Sequence, residues 1–504
     1  MRLEDVIQFC RVFHVFPHCC TVILGDTEES PVSVAFSGKL LFLYGMECKL
    51  CHPDCSLNRD HLSVRTWDRS TWKKRRKKYL VARKLVVAAG FVSNLGILFF
   101  YKYFDFFLEN CNHILTALGK EPVVNGFSVL LPVGISFYTF QALGYMVDVY
   151  RGEIIAEKNP LKYALFVSFF PQLVAGPIER SKNLLEQIRD IPDRKTFEYK
   201  RVANGLIVML YGYFLKMVIA DRISIIVEYV FSHYFELGSV ELIAGAVAFA
   251  IQIYCDFGSY SMIAIGAAQV LGFTLMENFN TPYFATSIKD FWRRWHISLS
   301  SWFRDYLYIP MGGNRHGKVR KYLNLMVTFL VSGLWHGAEW SYVIWGGLHG
   351  IYQVIGDLLM PVRKRIVSVC HVKTDCTSYK LSQIFVTFVL TTFAWIYFRA
   401  DTFAQATLYC KRIFTRWNPI VLFNGGLYEL GLNQFESNIL FLSLVVLFLV
   451  DLIRYRRKQR IDVFLEGQNV WFRWLVCIGL FLAVFVYGVY GPSYDATQFI
   501  YFQF

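Results

Sequence analysis

The 504-residue chain carries a formal charge of +14, is 55% hydrophobic and only 18% charged, and has a mean hydropathy of +0.36. Soluble domains hold nearer a quarter of their residues charged, so a water-soluble globular class is excluded, and an aromatic content of 17% suits a bilayer and its interfaces. The basic excess does not signal nucleic acid, because it clusters beside apolar runs instead of lining a soluble face.

In chain order, the first 68 residues are polar, without clear period, and hold six of the 12 cysteines: Cys10, Cys19, Cys20, Cys48, Cys51 and Cys55. Cys48-x-x-Cys51-His52-x-x-Cys55 resembles half of a zinc site, but no well-spaced second ligand pair follows, so no metal is expected. The apolar stretches at 13–24 and 32–46 are too short or too interrupted for spans, and no cleavable signal peptide is visible. A basic cluster, Lys73-Lys74-Arg75-Arg76-Lys77-Lys78, then precedes a series of long apolar runs. They fall near 85–107, 124–147, 163–174, 203–230, 242–272, 323–335, 342–359, 384–397, 439–453 and 471–490. A span needs roughly 20 apolar residues. The expectation is therefore an all-α polytopic membrane protein with about 9–11 spanning or re-entrant helices. Its organisation divides into an atypical segment 1–68 and a transmembrane domain 69–504 in the cell membrane. The basic runs, including Arg454-Tyr455-Arg456-Arg457-Lys458, mark cytoplasmic loops that touch lipid headgroups.

The segment 278–321 breaks the apolar pattern. Lys289, Asp290, Arg293, Arg294, His296, Arg304, Asp305, Arg315, His316, Lys318 and Arg320 alternate there with Trp292, Trp295, Trp302, Phe303, Tyr306 and Tyr308. Such charge belongs at an interface or beside a wet cavity. His336, in Gly333-Leu334-Trp335-His336-Gly337, ends an apolar run. An imidazole can take and return a proton near neutrality, which acyl transfer to a hydroxyl requires, and packing against a neighbouring helix is the competing reading. His296 lies beside Arg293 and Arg294, which suit a phosphate, and against them stands the reading of a plain interfacial helix. His349 is read as structural. Gly312-Gly313-Asn314-Arg315-His316-Gly317-Lys318-Val319 nearly spells a phosphate loop, but Val319 stands where Ser or Thr must hold magnesium, so a glycine-rich turn is expected. Asp148 and Asp256 are acids at or within apolar runs and are expected to pair with an arginine across helices. No serine nucleophile elbow, HExxH motif or Rossmann fingerprint is present.

Several of these stretches together carry a resemblance. Phe291-Trp292-Arg293-Arg294-Trp295-His296-Ile297-Ser298, Arg304-Asp305-Tyr306-Leu307-Tyr308-Ile309-Pro310, Trp335-His336-Gly337 and Tyr254-Cys255-Asp256-Phe257 are the clearest. Pro132-Val133-Gly134-Ile135-Ser136-Phe137-Tyr138 and Phe170-Pro171-Gln172-Leu173-Val174-Ala175-Gly176-Pro177 belong with them. From about residue 70 onward the chain resembles the membrane-bound O-acyltransferase family, and within it the bacterial branch of alginate O-acetylation. The resemblance implies helices around a funnel or tunnel, with His336 as catalytic base and His296 as second functional histidine. Arg293, Arg294, Arg304, Asp305, Asn314, Arg315 and Trp335 are then candidates for positioning substrate or donor. It also implies no tightly bound cofactor, acetyl-coenzyme A or another acyl thioester as co-substrate, and membrane lipid as surroundings. An extracytoplasmic polysaccharide would be the acceptor, with a partner acetyltransferase or relay protein beside it.

The rival readings are D-alanyl transfer to teichoic acid and a transporter, which would need internal repeats that are not seen. Two departures stand out. Relatives read Ser-Gly-Tyr-Ser-Asp where this chain has Gly258-Ser259-Tyr260-Ser261-Met262. They also begin with apolar helices, so residues 1–68 are expected to reflect a shifted reading frame, which translation of the upstream DNA in the other frames tests.

Overall fold

The computed structural model describes residues 69–124, 134–173, 176–191 and 197–490, and these form helices, turns and loops. The amino-terminal segment, with its cysteine cluster and its expected frame shift, lies outside the described residues. Among the described residues six helical stretches are long and apolar enough to cross a membrane: Val81–Ala117, Tyr199–Ser232, Ser239–Val270, Thr377–Arg399, Gln434–Arg457 and Val470–Tyr487. The runs at 124–147, 323–335 and 342–359 correspond to the shorter helices Ile135–Arg151, Gly317–His336 and Trp340–Leu358, of 17, 20 and 19 residues.

The described chain clusters into two compact units. The first holds the described residues up to 173 together with those from Glu179 to 191. Its first span bends through a π-turn at Phe99–Tyr103. Glycines in the left-handed region, Gly134 and Gly152, bracket Ile135–Arg151. Buried polar groups are tied off within this unit. The Gln141 side-chain amide donates to the carbonyl of Phe166 (2.6 Å) and its oxygen accepts from Gln172 (2.9 Å). Asp148 accepts from the Ser181 hydroxyl at 2.5 Å.

The second unit carries the remaining spans. Tyr199–Ser232 packs along Ser239–Val270, and glycines set the closeness of the pair. A methyl added at Gly205 would lie 2.7 Å from the Gly266 carbonyl oxygen, so only glycine fits at this crossing. A π-turn at Phe214–Ala220 interrupts the first of these helices near its midpoint. Such a turn rotates one residue out of the regular helix, and here Lys216 lies within it. Its ammonium bonds Asp256 at 2.6 Å and Asp221 at 2.8 Å, with Lys216 6% exposed and Asp256 fully buried. Asp256 is thus paired across helices as the sequence implies, but with a lysine. An isolated charge at this depth of a bilayer is costly, and the pairing makes it tolerable.

Removing one member of a buried ion group leaves the others uncompensated, at a cost of roughly 3–5 kcal/mol. Lys216→Met should therefore lower the melting temperature of the detergent-solubilised protein by several degrees. An unchanged melting curve would show that the triad contributes nothing to stability.

Candidate active site

His336 is the last residue of the helix Gly317–His336. The chain turns at Gly337 and re-enters as Trp340–Leu358, which packs back along the first helix. The hairpin closes tightly because Gly333 faces the carbonyl of Tyr342 and Gly346 faces the carbonyl of Phe329, at separations that leave no room for a β-carbon. His336 is thereby drawn inward, at 4% exposure. Trp345, in the second turn of the returning helix, lies 5.1 Å from its ring, and Phe398 lies 5.5 Å away.

His296 reaches the same place by a different route. It joins the short helices Ile288–Arg294 and Ile297–Phe303 and is itself left-handed, with φ 43° and ψ 53°. A non-glycine residue holds that conformation only if its surroundings impose it. The segment 278–280 does so from both sides. The Asn280 N–H donates to the Arg294 carbonyl and the Ile297 N–H donates to the Asn278 carbonyl, each at 2.9 Å. The Asn278 side chain completes the clasp. Its oxygen accepts from the Ser298 hydroxyl (2.6 Å), its amide donates to Ser261 (2.8 Å), and the Ile178 N–H donates to Ser298 (3.1 Å). The clasp places the His296 ring, fully buried, 6.1 Å from that of His336 and 4.7 Å from Phe257.

The two imidazoles therefore sit side by side in an aromatic wall, with Trp335 at 5.0 Å from His336 and 6.0 Å from His296. Burial pushes the His296 imidazolium down to about 3, so this ring is neutral at physiological pH. His349 is packing, as its sequence setting indicates. Its Nδ1 accepts from the Trp292 indole (3.2 Å), which leaves Nε2 to carry the proton of the neutral ring.

Of the residues singled out in sequence, the structure thus brings His296, Trp335 and His336 together. The polar ones lie apart from this wall or are held by neighbours. Arg293 is exposed, and Arg294 is held by Asp290 (3.1 Å) and Thr281 (3.2 Å). Arg304 forms a two-pronged pair with Asp305 (2.7 and 3.1 Å). Asn314 accepts from the Tyr308 hydroxyl, and Arg315 is exposed. The near-phosphate loop is a turn closed by the Asn324 amide, which donates to the carbonyls of Met311 and Gly313. Sequence reasoning did not find Asn278, Ser298, Trp345 or Phe398 as parts of this centre. Asn278 and Ser298 lie within stretches that carry the resemblance, without a role being read for them, and Trp345 has only its spacing of four from His349 on one helical face.

Comparison with known proteins adds to this geometry. Residues 151–400 match the membrane-bound O-acyltransferase family. The chain is 36% identical over 421 residues to a probable alginate O-acetylase of Pseudomonas putida, covering 82% of each protein. It is 40% identical over 313 residues to a probable alginate O-acetylase of Pseudomonas syringae pv. tomato, covering 62% of this chain but only 57% of that relative's length. A peptidoglycan O-acetyltransferase of Helicobacter pylori is 36% identical over 348 residues, which cover 64% of this chain and 63% of the relative.

Two buried, neutral histidines, His296 and His349, must charge on acid unfolding. Their folded values lie near 3 and the ordinary value is 6.5, so the unfolded chain binds more protons between these limits. Stability is fully present above about pH 6.5 and falls as pH drops toward 3, at roughly 1.4 kcal/mol per pH unit for each histidine. His296→Asn, which also tolerates the left-handed backbone, should flatten the acid limb of the stability curve by one histidine's share. An acid limb identical to the parent's would show that His296 is not buried neutral.

Proposed function

Because the chain belongs to the membrane-bound O-acyltransferase family, whose members are multi-pass membrane enzymes, we propose that it transfers an acetyl group from a cytoplasmic thioester to an extracytoplasmic polysaccharide. The thioester is acetyl-coenzyme A, and the acetyl group passes to a polymer hydroxyl directly or through a relay partner. The observation that carries the reading is the pair of buried imidazoles, 6.1 Å apart, walled by Trp335, Trp345 and Phe398. An imidazole so placed can take and return a proton, which a general base must do.

In the reaction His336 accepts the proton of the acceptor hydroxyl as its oxygen adds to the thioester carbonyl. The tetrahedral intermediate collapses with breakage of the carbon–sulfur bond, and the imidazolium returns its proton to the departing thiolate. His296, held by its clasp, packs against the base and keeps the pair dry. The exposed guanidiniums of Arg293 and Arg315, with the Arg304–Asp305 pair, are suited to the phosphates of a donor. The acetyl group and the polysaccharide acceptor are supported by the names of the relatives, an alginate O-acetylase and a peptidoglycan O-acetyltransferase.

The test is complementation of cells that lack their own polymer O-acetylase, with the parent chain or with His336→Ala, after confirming that both reach the membrane. The parent should restore ester, and the variant should lose it by at least about 10²-fold, the usual contribution of a positioned base. Mass spectrometry of the released acid should give acetate. D-alanine would move the enzyme to teichoic acid modification, and full activity of the variant would remove His336 from its role.

A further inference from the structure

A second group beside His336 has the features of a catalytic residue. Trp345 is 0% exposed, at the centre of the wall, stacked on Trp395 at 5.4 Å and set nearly perpendicular to His336 at 5.1 Å. Its indole N–H meets no hydrogen-bond acceptor among the described residues. The contrast with Trp292 is direct, since the N–H of that indole is taken up by His349. A buried donor left without an acceptor is destabilising, and phenylalanine would fill much of the same space without that cost. An unmet donor next to a base calls for an acceptor that arrives with the reaction.

Acyl transfer supplies one. When the hydroxyl adds to the thioester carbonyl, the carbonyl oxygen becomes an anion, and enzymes of this chemistry hold that charge with donors fixed in a dry site. We propose that the indole N–H of Trp345 is a donor to this oxyanion. The inference rests on the reading of His336 as base. His336 takes the proton from the attacking oxygen, while Trp345 holds the second oxygen on the same tetrahedral carbon. As the carbonyl re-forms, the carbon–sulfur bond breaks, the thiolate leaves with the proton from His336, and the indole N–H is released unchanged. Two features suit Trp345 to this work. It lies on the helix that returns directly from His336, so the base and the donor are fixed by one glycine-closed hairpin. Its ring is also clamped by Trp292 at 5.8 Å and Phe398 at 5.0 Å, so the donor needs no reorganisation during the reaction.

The experiment uses membranes containing the full chain, acetyl-coenzyme A as donor and the host cell's own polysaccharide as acceptor, with release of free thiol timed. Two variants remove the donor: Trp345→Phe, and replacement of Trp345 by benzothienylalanine, which keeps the bicyclic shape and puts sulfur where the N–H stood. Both should lower kcat by about 10²–10³-fold, the usual loss for one oxyanion donor. KM for acetyl-coenzyme A should stay within about threefold of the parent, because the interaction exists only in the transition state. If Trp345→Phe fails to fold, the benzothienyl variant decides alone. A benzothienyl variant with parental kcat overturns the proposal, as does one that loses kcat only together with its melting temperature. His336→Ala, run alongside, separates the two readings. Inactive His336→Ala with fully active Trp345 variants discards the donor and keeps the base, whereas active His336→Ala discards the base as well.

Discussion

The centre depends on how closely two helices can approach at glycine. Gly333 and Gly346 let the backbones of Gly317–His336 and Trp340–Leu358 touch, and everything around His336 follows from that contact. With a β-carbon at either position the hairpin would splay, and Trp345 would withdraw from the His336 ring. The clasp at Asn278 is the complementary constraint. It imposes on His296 a backbone conformation that a histidine avoids by itself, and in return fixes the ring at 6.1 Å from its counterpart. One histidine is placed by omission of side chains and the other by an excess of hydrogen bonds.

This difference explains what the sequence disclosed. The all-helical, membrane-spanning class was legible from hydropathy alone. His336 and His296 were legible because each stands out chemically from its neighbours, one closing an apolar run and the other within a charged aromatic stretch. Phe398 was not, because it is one apolar residue among many in Thr377–Arg399, and only the fold brings it to the histidine. The work of Asn278 was hidden for a similar reason: it satisfies Ser261, Ser298 and the backbone of residue 297, partners that are distant in sequence or invisible as a pattern. Asp256 was read correctly as paired across helices, but its partner is a lysine and not the expected arginine. Asp256 has Lys216 and Asp148 has Ser181, because sequence shows that a buried carboxylate needs a donor without showing which donor lies opposite.

The charged residues within spans share a logic. Asp451 accepts from Tyr254, and Arg454 near the end of the same helix bonds Glu277 and the Phe279 carbonyl. Together with Lys216 and its two aspartates, these bonds give each of the named charges a partner within the second unit. They stand apart from the buried histidine pair in its aromatic wall. The same unit therefore handles polarity in two ways: charged groups are given a neighbour to bond, and His296 is kept neutral by burial.

The lysine triad bears on how the chain enters the membrane. Lys216 and Asp256 lie near the middle of consecutive helices joined by only a short connection, residues 233–238. Lys216 has Asp221 on its own helix, but Ser239–Val270 inserted alone would carry Asp256 into the lipid without Lys216, at about 2.5–3.5 kcal/mol on insertion scales. Inserted as a pair, the two helices bring Lys216 to Asp256 at once. The ion bond thus favours partition of the two segments as one helical hairpin, with the translocation machinery releasing them together rather than in turn.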